Sequence, residues 1–238
     1  MIFHKIINKC LKYNHKAFSS RCLLCFSCVK NSHLSICSQC ISDLPWQTRS
    51  CCPQCGVISV QGEICGHCLK SPPAFDHTQS VFNYEYPLNA ILQQYKYGNK
   101  LIVAELFGKL LADALPRTEL PDVIIPMPLH PHRLKERGFN QAVEMARVTA
   151  RELKLKLDVS ICRRTLLSPP QASLPLKQRV KNMRNAFACD GQLNGLRVAL
   201  VDDVMTTGAS LNALAAAIKK AGASTVDCWV IARTQPRS

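Results

Sequence analysis

Four Cys-x-x-Cys pairs between residues 22 and 68 limit the fold more than any other feature of the chain. Cys22-x-x-Cys25 and Cys37-x-x-Cys40 make one set; Cys52-x-x-Cys55 and Cys65-x-x-Cys68 make a second. A two-residue spacing lets both thiolates of a tight knuckle face one ion, and two knuckles complete a tetrahedral four-sulfur site for zinc. The intervals between paired knuckles, eleven and nine residues, suit small ribbons. Two Zn2+ ions are therefore expected. A closed four-sulfur site keeps no open position for water, so their role is structural. Cys28 repeats the spacing after Cys25, Cys51 adjoins Cys52, and His33 and His67 are further donors, so the spacing leaves the ligand sets open at those positions.

Eleven of the fourteen cysteines precede residue 69, and Cys162, Cys189 and Cys228 follow singly. Ser71-Pro72-Pro73 lies at this shift, and a residue before proline disfavours helix continuation. The expected organisation is a zinc-ribbon module over residues 1–75 and a second domain over 76–238. Cysteine used this way indicates metal in a reducing compartment rather than the disulfide framework of a secreted chain. Lys5, Lys9, Lys12 and Lys16 break up the first twenty residues, which argues against a cleaved signal peptide. Apolar runs such as 123–125 and 198–201 fall far short of the ~20 residues a membrane span needs. A cytoplasmic location is expected.

The chain carries thirty Lys and Arg against sixteen acids, a formal charge of +14. Eight thiolates holding two zinc ions lower this to +10, still strongly basic. Such a balance attracts phosphate-bearing partners, nucleic acid or small phosphates alike. Tyr84, Tyr86, Tyr95 and Tyr97 offer rings on which single-stranded bases can stack, although packing is their more ordinary role. Residues 159–189 contain no acid but hold Arg163, Arg164, Lys177, Arg179, Lys181 and Arg184. A lid over a phosphorylated ligand, a nucleic-acid contact and a solvated basic loop all fit that composition.

Beyond residue 75 strand and helix signals alternate. Buried strands are predicted at 123–126, 197–203 and 226–232, and helices near 88–97, 101–115, 139–156 and 209–221. In the last, Leu211, Leu214, Ile218 and Ala221 form one apolar stripe, and Gly222 supplies a stop. This alternation predicts an α/β fold with a parallel sheet and flanking helices. The stretch 197–210 is its most informative part: a buried strand ends in Asp202 and Asp203, a turn of Thr206, Thr207 and Gly208 follows, and a helix begins. Unpaired N–H groups at that helix start, with the hydroxyls of Thr206, Thr207 and Ser210, make a cradle for a phosphate dianion. Carboxylates cannot bind phosphate, but they accept from sugar hydroxyls or hold Mg2+. Acids beside a phosphate cradle suggest a phosphorylated sugar. A capped helix after an Asp-terminated strand is the plainer reading. Neither G-x-x-x-x-G-K-[ST] nor G-x-G-x-x-G occurs, so ATPase and dinucleotide folds lack support. Arg133 and Arg137 are four apart, on one face if helical, and their planar forks suit phosphate oxygens.

The stretch 198–210 resembles the phosphoribosyl pyrophosphate signature of type I phosphoribosyltransferases. More specifically, the chain resembles the ComF family of competence proteins, which carry an N-terminal double zinc ribbon before a phosphoribosyltransferase-like domain. The resemblance rests on both cysteine sets, 92–98 with Lys96, the string Arg133…Arg137-Gly-Phe-Asn-Gln141, and 171–187. It implies that Arg133 and Arg137 meet pyrophosphate, that Asp202 and Asp203 contact ribose hydroxyls, and that Met205, Thr206, Thr207, Gly208 and Ala209 wrap the 5-phosphate. It also implies phosphoribosyl pyrophosphate with Mg2+ as ligand, and a link to uptake of transforming single-stranded DNA. If the domain is a glycosyltransferase, the reaction is displacement at the anomeric carbon, with an acceptor the sequence does not identify. A phosphoribosyltransferase of nucleobase salvage, or a non-catalytic adaptor docking a partner such as a helicase, are the competing readings.

Overall fold

The run Val198-Ala-Leu-Val201 and the strand around Val230 have both faces apolar, so each must be covered on both sides. In the computed structural model they are the neighbouring inner strands of a parallel sheet. Residues 20–29, 34–97, 101–166 and 186–236 are described, and contacts divide the chain into a unit of residues 1–43 and a unit of residues 44–238.

The smaller unit holds β1 (Ser20–Arg21) and β2 (Cys28–Val29), an antiparallel pair, and α1 (Ser38–Ser42). The larger unit begins with the second cysteine set, ending in α2 (Gly66–Lys70), and continues through β3 (His77–Asn83), α3 (Leu88–Tyr97) and α4 (Leu101–Ala114). Next come β4 (Val123–Pro126), α5 (Pro131–Arg137), α6 (Gln141–Leu153) and β5 (Lys156–Leu157). A hairpin of β6 (Cys162–Arg164) and β7 (Phe187–Cys189) precedes β8 (Arg197–Met205), α7 (Ala209–Lys220) and β9 (Thr225–Arg233). The sheet order is β3-β9-β8-β4-β5, every pair parallel. The α/β class with a parallel sheet and flanking helices is thus as expected.

Alternation along the strands decides what each face buries. Val123 and Ile125, Val198 and Leu200, and Val226, Cys228 and Val230 share a core with Leu211, Leu214 and Ile218 of α7. Ile124, Ala199 and Val201 point the other way, where α4 and α6 pack on the sheet. The free edge of β3 is covered by residues 45–47: Gln47 N–H donates to Val81 O at 2.9 Å, and Trp46 packs on Phe82 with ring centroids 4.6 Å apart. Covering an edge in this way blocks pairing with another chain.

The structure departs from the sequence expectations at particular residues. β8 continues to Met205 rather than stopping at residue 203. α6 starts only at Gln141, because Asn140 Oδ1 caps it by accepting from Ala142 N–H at 3.0 Å. β3 was not anticipated: its first half is polar, as an edge strand allows. Cys162 and Cys189, far apart in sequence, lie opposite each other on β6 and β7 and form a disulfide. The bulk of the basic segment expected at 159–189, and residues 171–185 of the family-like stretch, lie outside the described residues. Among the described residues no helix is long and apolar enough to cross a membrane.

Tyr95 takes the packing role of the two the sequence allowed it. Its ring is fully buried, between Phe107 and Phe139 at centroid distances of 6.3 and 5.8 Å, so no base can stack on it. Its hydroxyl donates to Gln141 O at 3.0 Å, tying α3 to the start of α6. Tyr95→Phe is expected to cost about 1 kcal/mol for the lost hydrogen bond. Tyr95→Ala is expected to cost about 3–5 kcal/mol, as for large aromatic deletions in cores. Urea unfolding measures both; an alanine variant as stable as the parent would mean the ring is not a core residue.

Candidate phosphate site and zinc ribbons

β4 and β8 run side by side in the same direction, so their C-terminal ends open on one edge of the sheet, where open α/β folds bind ligands. The last β4 pairing is Pro126 with Val201. β8 then overhangs β4, still paired to β9 from Asp202↔Val230 to Met205↔Arg233. The sequence ended this strand at the two acids; β8 instead runs on through them to Met205, so Asp202 and Asp203 are adjacent residues of an extended strand whose side chains leave from opposite faces, and the strand that ends is β4. Asp202 and Asp203 lie on the overhang. Asp202 Oδ1 accepts from Asp203 N–H at 2.9 Å, and Asp203 Oδ1 accepts from Val204 N–H at 2.8 Å, so each carboxylate leans along the strand toward the turn. Asp202 is half-buried and Asp203 buried.

The turn that follows is built on Gly208. Its φ of +78° is left-handed, and a Cβ there would approach Met205 Cε at 2.7 Å. Thr206 and Thr207 are exposed, and Thr207 Oγ1 accepts from Ala209 N–H at 3.3 Å. Gly208 itself supplies no side-chain cap to α7, and the Thr207 hydroxyl on Ala209 N–H is the side-chain bond at this helix start, whose dipole end is positive. Met205, unlike its neighbours, is buried, so it supports the loop from beneath.

The arginines reach the same edge through α5, which follows β4 directly. Pro131 occupies its first turn, His130 caps it, and the chain turns out at Gly138. Asn140 Nδ2 donates to Met127 O at 3.0 Å and fixes the exit of α5 to the end of β4. Arg133 and Arg137 lie four apart on this helix, with Arg133 on Glu136 at 3.1 Å and Arg137 on Gln141 Oε1 at 3.4 Å. Arg164, noted in the sequence only as one charge of a basic run, is drawn into the site by β6. Its guanidinium carbon lies 5.5 Å from the centroid of the Phe187 ring. Burial pulls its pKa below the ordinary arginine value; Asp202 opposes that shift and Arg133 adds to it. Arg164 thus lies within electrostatic range of an acid of the overhang and an arginine of α5. The antiparallel partnering of β6 with β7, which places it there, leaves no motif in the sequence.

Each cysteine set closes on itself. The Sγ atoms of Cys22, Cys25, Cys37 and Cys40, and those of Cys52, Cys55, Cys65 and Cys68, lie within 4.8 Å of one another in each group. Cys25 and Cys37 are 3.7 Å apart, and Cys55 and Cys65 are 3.6 Å apart. A tetrahedron with Zn–S bonds of about 2.3 Å has edges of about 3.8 Å, so the donor sets fit zinc. Backbone amides point at the sulfurs, as in a thiolate knuckle: Cys37 N–H to Cys22 Sγ at 3.4 Å and Cys65 N–H to Cys52 Sγ at 3.3 Å. The Ser27 hydroxyl holds the Cys25 thiol down to about 6. At Cys52 burial works against ionisation, but amides of Cys65, Cys55 and Gln54 outweigh it and bring the thiol to about 7. Burial, with neighbouring thiols, pushes Cys40 and Cys68 up. Cys28, Cys51 and His67 belong to neither cluster, and His33 lies outside the described residues.

The second cluster is fastened to the sheet of its own unit. Thr78 N–H donates to Pro53 O at 2.9 Å, and Ile58 N–H donates to Gln235 Oε1 at 2.9 Å. Arg233 Nε donates to Cys55 O at 2.7 Å. Burial pulls the Arg233 guanidinium below its ordinary value, and Cys55, Cys68 and Cys51 oppose this.

Comparison with known proteins bears on the ribbons and on the chain as a whole. The double zinc ribbon domain matches residues 15–69. DNA utilization protein YhgH of Escherichia coli is 32% identical over 220 residues, covering 90% of this chain and 96% of that protein. Competence protein F of Haemophilus influenzae is 32% identical over 229 residues, covering 91% and 98%. Among solved structures, a purine phosphoribosyltransferase of Pyrococcus horikoshii is 23% identical, with a TM-score of 0.33 over 51% of this chain and 66% of that one.

Elemental analysis of the purified chain is expected to return two zinc ions per molecule. Cys65→Ser and Cys37→Ser should each lose one, whereas Cys28→Ser and Cys51→Ser should keep both. Zinc binds thiolates and releases their protons, so retained metal falls as pH falls. Full zinc content in Cys65→Ser would refute the four-sulfur assignment of the second cluster.

Proposed function

The chain belongs to the ComF family of competence proteins, and on that premise we propose that it binds phosphoribosyl pyrophosphate with Mg2+ and serves the handling of single-stranded DNA in the cytoplasm. One juxtaposition carries the reading. A paired-acid overhang, the start of α7 and a two-arginine helix share one edge of a parallel sheet.

Each part suits a different portion of the ligand. The N–H groups at the start of α7, with the hydroxyls of Thr206, Thr207 and Ser210, take the 5-phosphate. Gly208 and Ala209 let the backbone approach it. Asp202 and Asp203 accept from the ribose hydroxyls. Arg133 and Arg137 offer planar forks to the pyrophosphate. Carboxylate and diphosphate oxygens are the hard donors that Mg2+ takes, and the ion neutralises diphosphate charge when bound. The DNA part of the reading rests on the relatives' names and on the +10 charge remaining after zinc binding.

Calorimetry with phosphoribosyl pyrophosphate in Mg2+ tests the site. Asn at positions 202 and 203 preserves the oxygens that accept from Asp203 and Val204 N–H, so the fold should persist. Removing two hydrogen bonds to charged groups, at ~1.5–3 kcal/mol each, predicts an affinity lower by about 100-fold or more. Undiminished binding in the double variant would end the phosphoribosyl reading. For the nucleic-acid part, affinity for a single-stranded oligonucleotide should fall steeply between low and moderate salt as counterion release weakens. A salt-independent affinity would contradict it.

A further inference from the structure

We propose that Arg233 is a positioning residue that couples the second zinc ribbon to the phosphate loop, so that metal in that ribbon and order in the loop stabilise each other. The coupling stands on geometry within one compact unit. The use of the loop as a ligand cradle rests on the function proposed above.

Arg233 is the last residue of β9, in register with Met205 at the end of β8 and with Asn83 at the end of β3. Its side chain is 5% exposed. Nε donates to Cys55 O at 2.7 Å, inside the Cys52–Cys55 knuckle. Nη1, with its two hydrogens shared among three acceptors, donates to Met205 O at 3.0 Å, to Thr234 O at 2.7 Å and to Thr206 O. One guanidinium therefore spans from a zinc knuckle to the first two residues of the phosphate loop. No carboxylate forms an ion pair with it among the described residues.

A buried cation held by carbonyls needs those carbonyls fixed, because every one that drifts leaves charge uncompensated. Thr234 O and Met205 O are fixed by the sheet, where Thr234 N–H also donates to Met205 O at 3.0 Å. Cys55 O is fixed by the knuckle, and a ribbon this small owes its fold to its metal. The knuckle is also tight against the arginine: a Cβ on Gly56, whose φ is +68°, would lie 3.1 Å from Thr78 Cγ2 and 3.7 Å from Arg233 Cδ. Four thiolates holding one Zn2+ would carry a net charge of −2, opposite in sign to the guanidinium that is bonded to this knuckle. Lysine cannot replace the fork, since one ammonium offers no rigid, divergent pair of donors. By linkage, whatever the ribbon does to the loop, a ligand in the loop does to the ribbon.

Hydrogen exchange on the full chain, without ligand, reads the coupling directly. Cys65→Ser, which empties the second ribbon, should speed exchange of the 206–210 amides at least about 10-fold, the loss of roughly one net hydrogen bond's worth of order. Cys37→Ser, which empties the first ribbon, should leave them unchanged. Arg233→Lys should keep two zinc ions and show the same faster exchange at 206–210. Unchanged loop exchange in Cys65→Ser overturns the proposal, and so does an equal rise in Cys37→Ser or loss of protection throughout the sheet. A second arm uses the parent protein and a colorimetric zinc chelator. Phosphoribosyl pyrophosphate with Mg2+ should slow release of one of the two zinc ions, and Arg233→Lys should abolish that effect. Ligand binding seen by calorimetry with no change in zinc release overturns the coupling. Absence of ligand binding overturns the functional reading instead, and the exchange arm then decides the coupling alone.

Discussion

The candidate site depends on a mismatch in strand length. β8 outruns β4 by the residues after Val201 while its other side stays paired to β9 as far as Met205. The overhang gives Asp202 and Asp203 one rigid flank and one open flank, a geometry that neither a central strand nor a loop provides. Rigidity comes from the β9 ladder and from Val201 and Val230, both fully buried. The opening is bounded by Met127 and α5, which leave β4 at the same level. Shortening β8 or lengthening β4 would remove either the support or the space.

Composition and contacts divide the chain differently. Cysteine density changes near residue 75, but the contacts group residues 44–238 together, and so put the second ribbon with the parallel sheet. The physical basis is a set of hydrogen bonds from Thr78, Arg233 and Gln235 to the main chain of residues 53–58. A small metal-organised loop has little apolar area of its own, and fastening it to a sheet gives it a neighbour that does.

The hairpin of β6 and β7 adds charge to the site edge. Arg163 pairs with Asp190 on the exposed side, whereas Arg164 turns over the Phe187 ring. Two adjacent arginines of one strand take opposite roles because strand alternation sends them to opposite faces. One is a solvated ion pair of small energetic weight, and the other is a half-buried cation in electrostatic range of the acid overhang.

The sequence by itself announced the cysteine clusters and most of the elements. Cys-x-x-Cys spacing announced two metal sites, because a knuckle is a local structure set by a few backbone angles, and the structure chose the four sulfurs of each. Apolar runs at 123–126 and 198–201, and the stripe of Leu211, Leu214 and Ile218, announced strands and a helix, because burial periodicity is also local. Asp202, Asp203 and the Thr-Thr-Gly turn could be read together for the same reason, being contiguous. What joins residues far apart in the chain could not be read. Only tertiary structure decided that β4 stops where β8 continues, that Tyr95 is core rather than a stacking surface, that Arg164 lies over Phe187, and that Cys162 meets Cys189. Arg233 is the clearest case: by sequence it is one more basic residue near the end of a basic chain. Its meaning comes from strand register and from a knuckle 178 residues away, neither of which a one-dimensional pattern encodes.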